Sequence, residues 1–136
     1  MMSNLSAFLK PAAPVEQENI VISKRFRNED GSIAPFIIRP ISQEENDRLI
    51  RQATRRTKVN GQWAEQLDNT EYGRRVVVAA TVEPDFSSPE MCKAYGTLDP
   101  LEVPGKMLLT GEYSKLSRAI LELSGLDDDL EEQAKN

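Results

Sequence analysis

The sequence contains no histidine and only one cysteine, Cys92. Without histidine the chain cannot form a Ser-His-Asp triad or a Cys-His pair, and with one cysteine as well it cannot form a zinc finger of the usual spacing. A single cysteine also excludes an intrachain disulfide. An enzyme built from this chain would have to move protons with carboxylates, tyrosines and lysines alone. We therefore expect a non-catalytic protein with no catalytic residues, no cofactor and no metal site.

Long apolar runs are also absent from this sequence. Hydrophobic residues make up 39% of the chain and charged residues 29%, and no run approaches the length needed to cross a bilayer. Residues 1–10 lack the basic start and the long apolar stretch of a signal peptide. We therefore expect a soluble protein of the cytoplasm that does not bind membranes.

The negative charge is concentrated at one end of the chain. The formal net charge is -5, and residues 127–136 carry five acids and one lysine, a net charge of -4. The remainder is almost neutral, which argues against strong capture of DNA. A chain of 136 residues suits one domain. We predict a flexible segment over residues 1–14, a single domain over residues 15–126 and a disordered acidic tail over residues 127–136.

The N-terminal half is predicted to open with a β-hairpin. Alternating apolar residues predict a strand over 18–26, and β-formers predict a second strand over 33–39. Asp30-Gly31 lies between them and supplies the positive φ that a tight reversal needs. Together with the helices predicted below, this gives an α+β fold, predominantly α-helical, in which an N-terminal β-hairpin packs against a small helical bundle.

A helix is predicted to start directly after the hairpin. Ser42 and Glu45 have the spacing of a capping box. The end of this helix is enriched in bases, which suits the negative end of the helix dipole. The basic residues of this stretch are Arg48, Arg51, Arg55, Arg56 and Lys58. They are interpreted either as a nucleic-acid face or as a solvated helix surface, and the acids between them weaken the first interpretation.

Three further helices are predicted in the second half. Asp68 and Glu71 repeat the capping box and open a buried helix that extends to about Val82. A short helix over 89–95 follows, with Ser88 as its N-cap and Cys92 as a small buried side chain. Residues 98–105 are interpreted as a connection, in which acids are solvated more readily than they bind a metal. An apolar face at helical spacing predicts the last helix over 112–124.

Two stretches carry apolar residues that the predicted core does not need. Residues 3–9 fit a short amphipathic turn, either a docking peptide or a frayed terminus. Trp63, the only tryptophan, follows a reversal at Asn60-Gly61 and is either an exposed anchor for a partner or a core or lid residue. Leu49 lies on a narrow apolar strip of the preceding helix.

The order of these elements resembles the XkdN-like family of tail assembly chaperones found in PBSX-type prophages and related phages. The resemblance covers roughly residues 5–125 and includes a hairpin and a middle helix over 72–80. Its sequence motifs are Arg39-Pro40-Ile41-Ser42-Gln43-Glu44-Glu45, Pro89-Glu90-Met91 and Lys106-Met107-Leu108-Leu109-Thr110-Gly111-Glu112-Tyr113-Ser114-Lys115-Leu116.

The resemblance implies a small cytoplasmic protein that binds the phage tape measure protein during tail assembly and is absent from the mature virion. Exposed apolar strips would cover the apolar surface of that long helical partner. Partial amphipathicity selects candidate partner-binding residues, which are Leu5, Phe8, Leu9, Leu49 and Trp63. The alternatives are a structural tail or connector protein of the particle and, with weaker support, a nucleic-acid-binding regulator.

Two further partners are candidates, and the family resemblance suggests the first of them. Related genes are often read in two frames, and Ala134-Lys135-Asn136 can be encoded by a slip-prone heptamer. A frameshifted longer form of this chain is therefore one candidate partner, and the gene sequence would test it. A second copy of the chain in a homo-oligomer is the other.

Overall fold

The computed structural model of this protein describes residues 5–9 and 16–126. The predictions for the rest of the N-terminal segment, the acidic tail and the slip site lie outside these residues. Six helices are described: α1 (Ser6–Leu9), α2 (Gln43–Ala53), α3 (Asn69–Ala80), α4 (Pro89–Ala94), α5 (Val103–Met107) and α6 (Thr110–Leu123). The strands are β1 (Glu18–Ile20), β2 (Phe36–Ile38), β3 (Thr54–Val59), β4 (Gln62–Leu67) and β5 (Thr81–Glu83). The predicted α+β class is confirmed.

The N-terminal hairpin is present, with shorter strands than predicted. β1 and β2 pair antiparallel, with Glu18 opposite Ile38 and Ile20 opposite Phe36. The chain between them reverses at Asp30-Gly31, where Gly31 has a φ of 87° and the Asn28 N–H donates to the Ser32 carbonyl at 2.8 Å. The predicted strand over 18–26 is wrong beyond Ile20, because residues 21–26 form no continuous ladder.

β5 was not predicted and completes a three-stranded antiparallel sheet in the order β1-β2-β5. The sequence pattern predicted a helix that extends to Val82 here, and this predicted helix end is wrong. α3 stops at Ala80, where the Thr81 hydroxyl donates to the Val77 carbonyl at 2.7 Å. Thr81 then lies opposite Ile38 of β2. β-branched residues favour the extended backbone once a neighbouring strand is available.

Helix α2 also ends earlier than predicted. Its start is confirmed, since the Glu45 N–H donates to Ser42 Oγ at 3.2 Å. The Glu45 carboxylate accepts two 2.7 Å hydrogen bonds from Arg39, where the predicted box had it bind the Ser42 N–H. Arg39 holds the pKa of Glu45 below its usual value. The helix stops at Ala53, so the predicted helical positions of Arg55, Arg56 and Lys58 are wrong.

Of the C-terminal helices, α4 begins at its predicted cap. Ser88 caps α4 through the Met91 N–H at 3.2 Å, and Cys92 is buried as predicted. The predicted connection over 98–105 is partly wrong, because it contains a 3-10 turn at Pro100–Glu102 and the start of α5. Asp99 caps that turn through the Leu101 N–H at 3.0 Å. α6 begins two residues before the predicted start and buries Leu116 and Ile120 on the predicted face.

A single apolar core joins the three-stranded sheet to the helices. The ring of Phe36 lies 5.7 Å from Phe26 and 6.5 Å from Phe86, centroid to centroid. Val77 and Ile120, from α3 and α6, are fully buried in the same cluster. The core is therefore built from residues of the hairpin, α3 and α6, together with Phe86 between β5 and α4.

Among residues 5–9 and 16–126, no helix is long and apolar enough to cross a bilayer.

One exposed ion pair fastens the hairpin loop to α6. Arg25 Nη2 lies 2.6 Å from Glu112 Oε1, and Arg25 Nε donates to Glu112 Oε2 at 3.1 Å. The Glu112 carboxylate also accepts the Leu109 N–H at 2.8 Å, which closes the start of the helix. These donors, Arg25 first, lower the pKa of Glu112 to about 2.

This low pKa predicts how stability depends on pH. Because the folded pKa of Glu112 is depressed, its stabilisation is complete above the unfolded pKa and is lost as pH falls toward about 2. Glu112→Gln should lower the urea midpoint at pH 7, and its difference from the parent should shrink as pH falls below about 4.3. Glu29→Gln, in the exposed turn, is the control. An unchanged difference between pH 7 and pH 2 would contradict the prediction.

Candidate partner-binding site

A second hairpin, formed by β3 and β4, projects from the junction between α2 and α3; residues 54–67 are called the arm from here on. Arg56 lies opposite Glu65 and Lys58 opposite Trp63. The reversal between the strands needs positive φ, which Asn60 (53°) and Gly61 (79°) provide. Asn-Gly is the preferred pair for such a two-residue turn. The turn was predicted, and the β-branched residues before it favour the extended backbone of β3.

The arm is held at its base by polar contacts. The Asp68 N–H donates to the Ala53 carbonyl at 2.9 Å. Arg55 forms an ion pair with Glu71 of α3 and donates to the Gln52 carbonyl at 3.1 Å. Beyond these contacts, the side chains of β3 and β4 are exposed apart from intermediate burial at Thr54, Thr57 and Leu67. The arm thus contributes little to the core. The contacts at its base fix its position relative to α2 and α3.

Trp63 is the central feature of one face of the arm. Its side chain is 60% exposed. The Arg56 guanidinium carbon lies 5.2 Å from the centre of the Trp63 ring, and Lys58 Nζ lies 5.8 Å from it. The three residues share a face because side chains alternate along paired strands. We call Arg56, Lys58 and Trp63 the Trp63 face. Of the two interpretations offered for Trp63, exposure agrees with the anchor and disagrees with the core residue.

This face suits binding rather than chemistry. Cations over an indole ring help to hold it in place, by favourable interactions of about 0.5–1 kcal/mol at exposed sites. Tryptophan flanked by arginine is typical of residues that dominate protein–protein interfaces. Across the whole arm, three bases and one acid give a net charge of +2. The arm therefore offers an aromatic surface and positive charge to a partner with apolar and acidic groups.

The structure divides the predicted basic cluster. Arg48 lies 3.6 Å from Glu45 on α2, and Arg55 is paired with Glu71. Within the part of the chain that the structure describes, Arg51, Arg56 and Lys58 form no ion pair. The five bases thus lie on a helix and a strand and two are neutralised, which weakens the nucleic-acid interpretation.

The remaining candidate residues lie in two different environments. Leu5, Phe8 and Leu9 lie on α1 and are 57%, 80% and 69% exposed. Leu49 is only 6% exposed and belongs to the core cluster. Leu49 therefore cannot contact a partner without unfolding part of α2, and we do not keep it in the candidate set. Its position in the core follows from the packing of α2 against α3.

Sequence reasoning did not identify other exposed apolar residues. Leu98 is fully exposed beside a groove of about 580 Å³ lined by Pro89, Cys92 and Pro100. Val59 at the tip of the arm is 51% exposed. The alternation in residues 54–59 could have indicated Val59, whereas nothing local distinguishes Leu98 from a core leucine.

Known proteins are similar to this chain in sequence and in fold. Residues 5–136 match the family described as phage XkdN-like tail assembly chaperone protein. The phage-like element PBSX protein XkdN of Bacillus subtilis strain 168 is 37% identical, with 96% of this chain and 93% of XkdN covered. The uncharacterized protein YqbN of the same strain is also 37% identical, with 96% and 92% covered. A crystal structure of YqbN aligns with a TM-score of 0.78 at 31% identity, covering 93% of this chain and 100% of that one.

Proposed function

This chain belongs to the phage XkdN-like tail assembly chaperone family, and on that premise we propose that it binds the tape measure protein during tail assembly without catalysing a reaction. Family membership across nearly the whole chain is the observation that carries the proposal. A tail assembly chaperone acts through protein partners, and the tape measure protein is the partner that the family resemblance suggests. The proposed site of action is the cytoplasm of the bacterial host, and the mature virion is expected to lack the protein.

The Trp63 face and the exposed side of α1 are the proposed contact surfaces. A long helical partner with an apolar stripe aggregates unless that stripe is covered. Trp63, Phe8 and Leu9 present large apolar side chains that the core does not use. Arg56 and Lys58 add positive charge beside Trp63, which favours a helix with acidic residues flanking its apolar stripe.

Co-expression tests this proposal directly. The tape measure protein of the same phage is produced with and without this chain, and the soluble fraction and the copurified complex are measured. We expect tape measure protein in the soluble fraction, bound to this chain, only when both are produced. Equal solubility without this chain and no copurification would overturn the proposal. Retention of this chain in purified virions would instead favour a connector or another structural tail protein.

A further inference from the structure

We propose that two copies of this protein associate through the outer edge of β4, which pairs antiparallel with β4 of the second copy. The two arms then form one four-stranded sheet, related by a two-fold axis perpendicular to it. This inference goes beyond the proposed function and does not depend on it, because it concerns this chain alone.

The arm has the longest free strand edges of the described fold. β3 and β4 contain six residues each, whereas β1, β2 and β5 contain three each. No other strand of the described ranges, 5–9 and 16–126, pairs with the arm. The side chains of β4 are exposed from Gln62 to Gln66. A hairpin of two strands is marginally stable by itself, and a long exposed edge favours pairing with another strand.

The backbone groups at the outer edge of β4 follow from the hydrogen bond at the base of the arm. The Asp68 N–H donates to the Ala53 carbonyl at 2.9 Å, so these two residues direct their backbone groups toward each other. In an antiparallel ladder such pairs alternate with pairs whose backbone groups point outward. Along the observed register, the residues of β4 with outward N–H and C=O groups are Trp63, Glu65 and Leu67.

Charge selects the edge of β4 over the edge of β3. Pairing β3 with β3 of a second copy over most of its length would place Arg56 opposite Arg56 or Lys58 of that copy, and like charges directly opposite each other are destabilising. The one charged residue of β4 is Glu65. A second β4 can therefore pair with it in a register that opposes no like charges.

The register that meets this condition places Trp63 opposite Glu65 of the second copy and Ala64 opposite Ala64. The outward backbone groups of Trp63 and Glu65 then bond to each other in both directions. The two Trp63 residues become diagonal neighbours, about 7–8 Å apart, which is within reach of aromatic side chains. A shift of one copy that set Glu65 against Glu65 would instead oppose two carboxylates. This register therefore gives each exposed indole an apolar neighbour.

The shape of the molecule favours the two-fold arrangement over open stacking of arms. Stacked arms would repeat every two strands, so successive domains would lie only about 10 Å apart. A domain of about 100 residues has a radius of gyration of about 13 Å, so such domains would collide. The two-fold axis instead places the domains at opposite ends of the joined sheet. It also leaves both Trp63 faces on the same side, where they form one continuous surface.

Sedimentation equilibrium of the full chain tests the association without any partner. We expect a monomer–dimer equilibrium with a dissociation constant of about 100 μM, because two short strands bury less than the roughly 1,200 Å² of a standard interface. A monomer at all concentrations up to about 1 mM would overturn the proposal. A mass that rises beyond the dimer would indicate open stacking and contradict the two-fold arrangement.

A matched pair of proline substitutions tests which edge is used. Arg56 and Glu65 lie directly across from each other, and both direct their N–H groups outward, so proline at either position spares the hydrogen bonds between β3 and β4. Glu65→Pro should weaken dimerisation at least about tenfold, whereas Arg56→Pro should leave it within about twofold. A dimer that survives Glu65→Pro, or one that Arg56→Pro weakens equally, would overturn the choice of β4.

Cysteine crosslinking tests the register and does not depend on proline. The Cα atoms of the facing Ala64 residues should lie about 4.5 Å apart, within the range of a disulfide. Two copies of Gln66, on the same face of the same strand, should lie about 14 Å apart. The unchanged chain, whose Cys92 is buried, gives the background.

The variants Ala64→Cys and Gln66→Cys are incubated with oxidised glutathione, which takes up the electrons and protons of the two thiols, and are then separated on a non-reducing gel. We expect at least about fivefold more disulfide-linked dimer for Ala64→Cys than for Gln66→Cys. Equal crosslinking of the two variants, or more for Gln66→Cys, would overturn the proposed pairing even if the chain dimerises.

Discussion

Trp63→Ala is expected to weaken binding of the tape measure protein by about 30-fold while leaving the free energy of unfolding nearly unchanged. The large effect follows from the loss of the main apolar surface of the arm and of the ring that Arg56 and Lys58 contact. The small effect on folding follows from the 60% exposure of Trp63. Binding is measured by titration calorimetry, and unfolding by urea with far-UV circular dichroism.

Leu98→Ala provides the matched control for Trp63→Ala. Leu98 is fully exposed and lines the groove beside α4, not the Trp63 face, so its loss should change the binding constant little. Leu49→Ala should lower stability because Leu49 is a core residue. If Trp63→Ala and Leu98→Ala have equal effects on affinity, the Trp63 face is not the binding surface, whether or not the chain binds the tape measure protein.

Phe36→Ala is expected to destabilise the fold by about 3–5 kcal/mol. Phe36 is 2% exposed, and its ring packs between Phe26 and Phe86. The substitution leaves a cavity where the N-terminal hairpin meets the helices, and the surrounding sheet can collapse into it only partly. The measurement is the urea midpoint and slope followed by far-UV circular dichroism.

Phe8→Ala makes the same chemical change at an 80% exposed position and should alter stability by no more than about 0.5 kcal/mol. Phe36→Leu keeps most of the apolar volume and should retain a folded protein, which guards against a variant that fails to fold at all. A cost below about 1 kcal/mol for Phe36→Ala would contradict the packing described here, because a buried phenylalanine in a close-packed core cannot be removed so cheaply.

Local signals predicted the starts of α2, α3 and α4. Ser42, Asp68 and Ser88 each accept a backbone N–H three residues ahead, as their spacing indicated. The turns at Gly31 and Gly61 were also identifiable, since both need positive φ. These features involve neighbours only a few residues apart, so a sequence without homologues is sufficient to find them.

The ends of α2 and α3 were not predictable in the same way. Thr54 and Thr81 each donate a hydroxyl to the carbonyl four residues earlier and then begin a strand. For Thr81 the decision depends on β2, which is about 40 residues away in sequence and pairs with β5. The helical pattern alone favours continuation, and only a distant strand makes the extended form more stable.

Which candidate binding residues are exposed could also be determined only from the fold. Leu49 and Trp63 both looked like apolar residues with uncertain partners, yet Leu49 is buried and Trp63 is exposed. Their difference arises because α2 packs on α3 while the arm extends beyond that contact. No local property of either residue distinguishes the two outcomes.

By itself, the sequence determined that histidine is absent and cysteine nearly so, and that negative charge is concentrated at the C-terminal end. It also determined the helix caps, the turns and the family. Tertiary structure alone decided where two helices end, that β5 joins the sheet, and that Trp63 lies exposed beside Arg56 and Lys58. Caps and turns are settled by hydrogen bonds to near neighbours. Burial and strand pairing are settled by which distant surfaces exclude water together, and that depends on the whole chain.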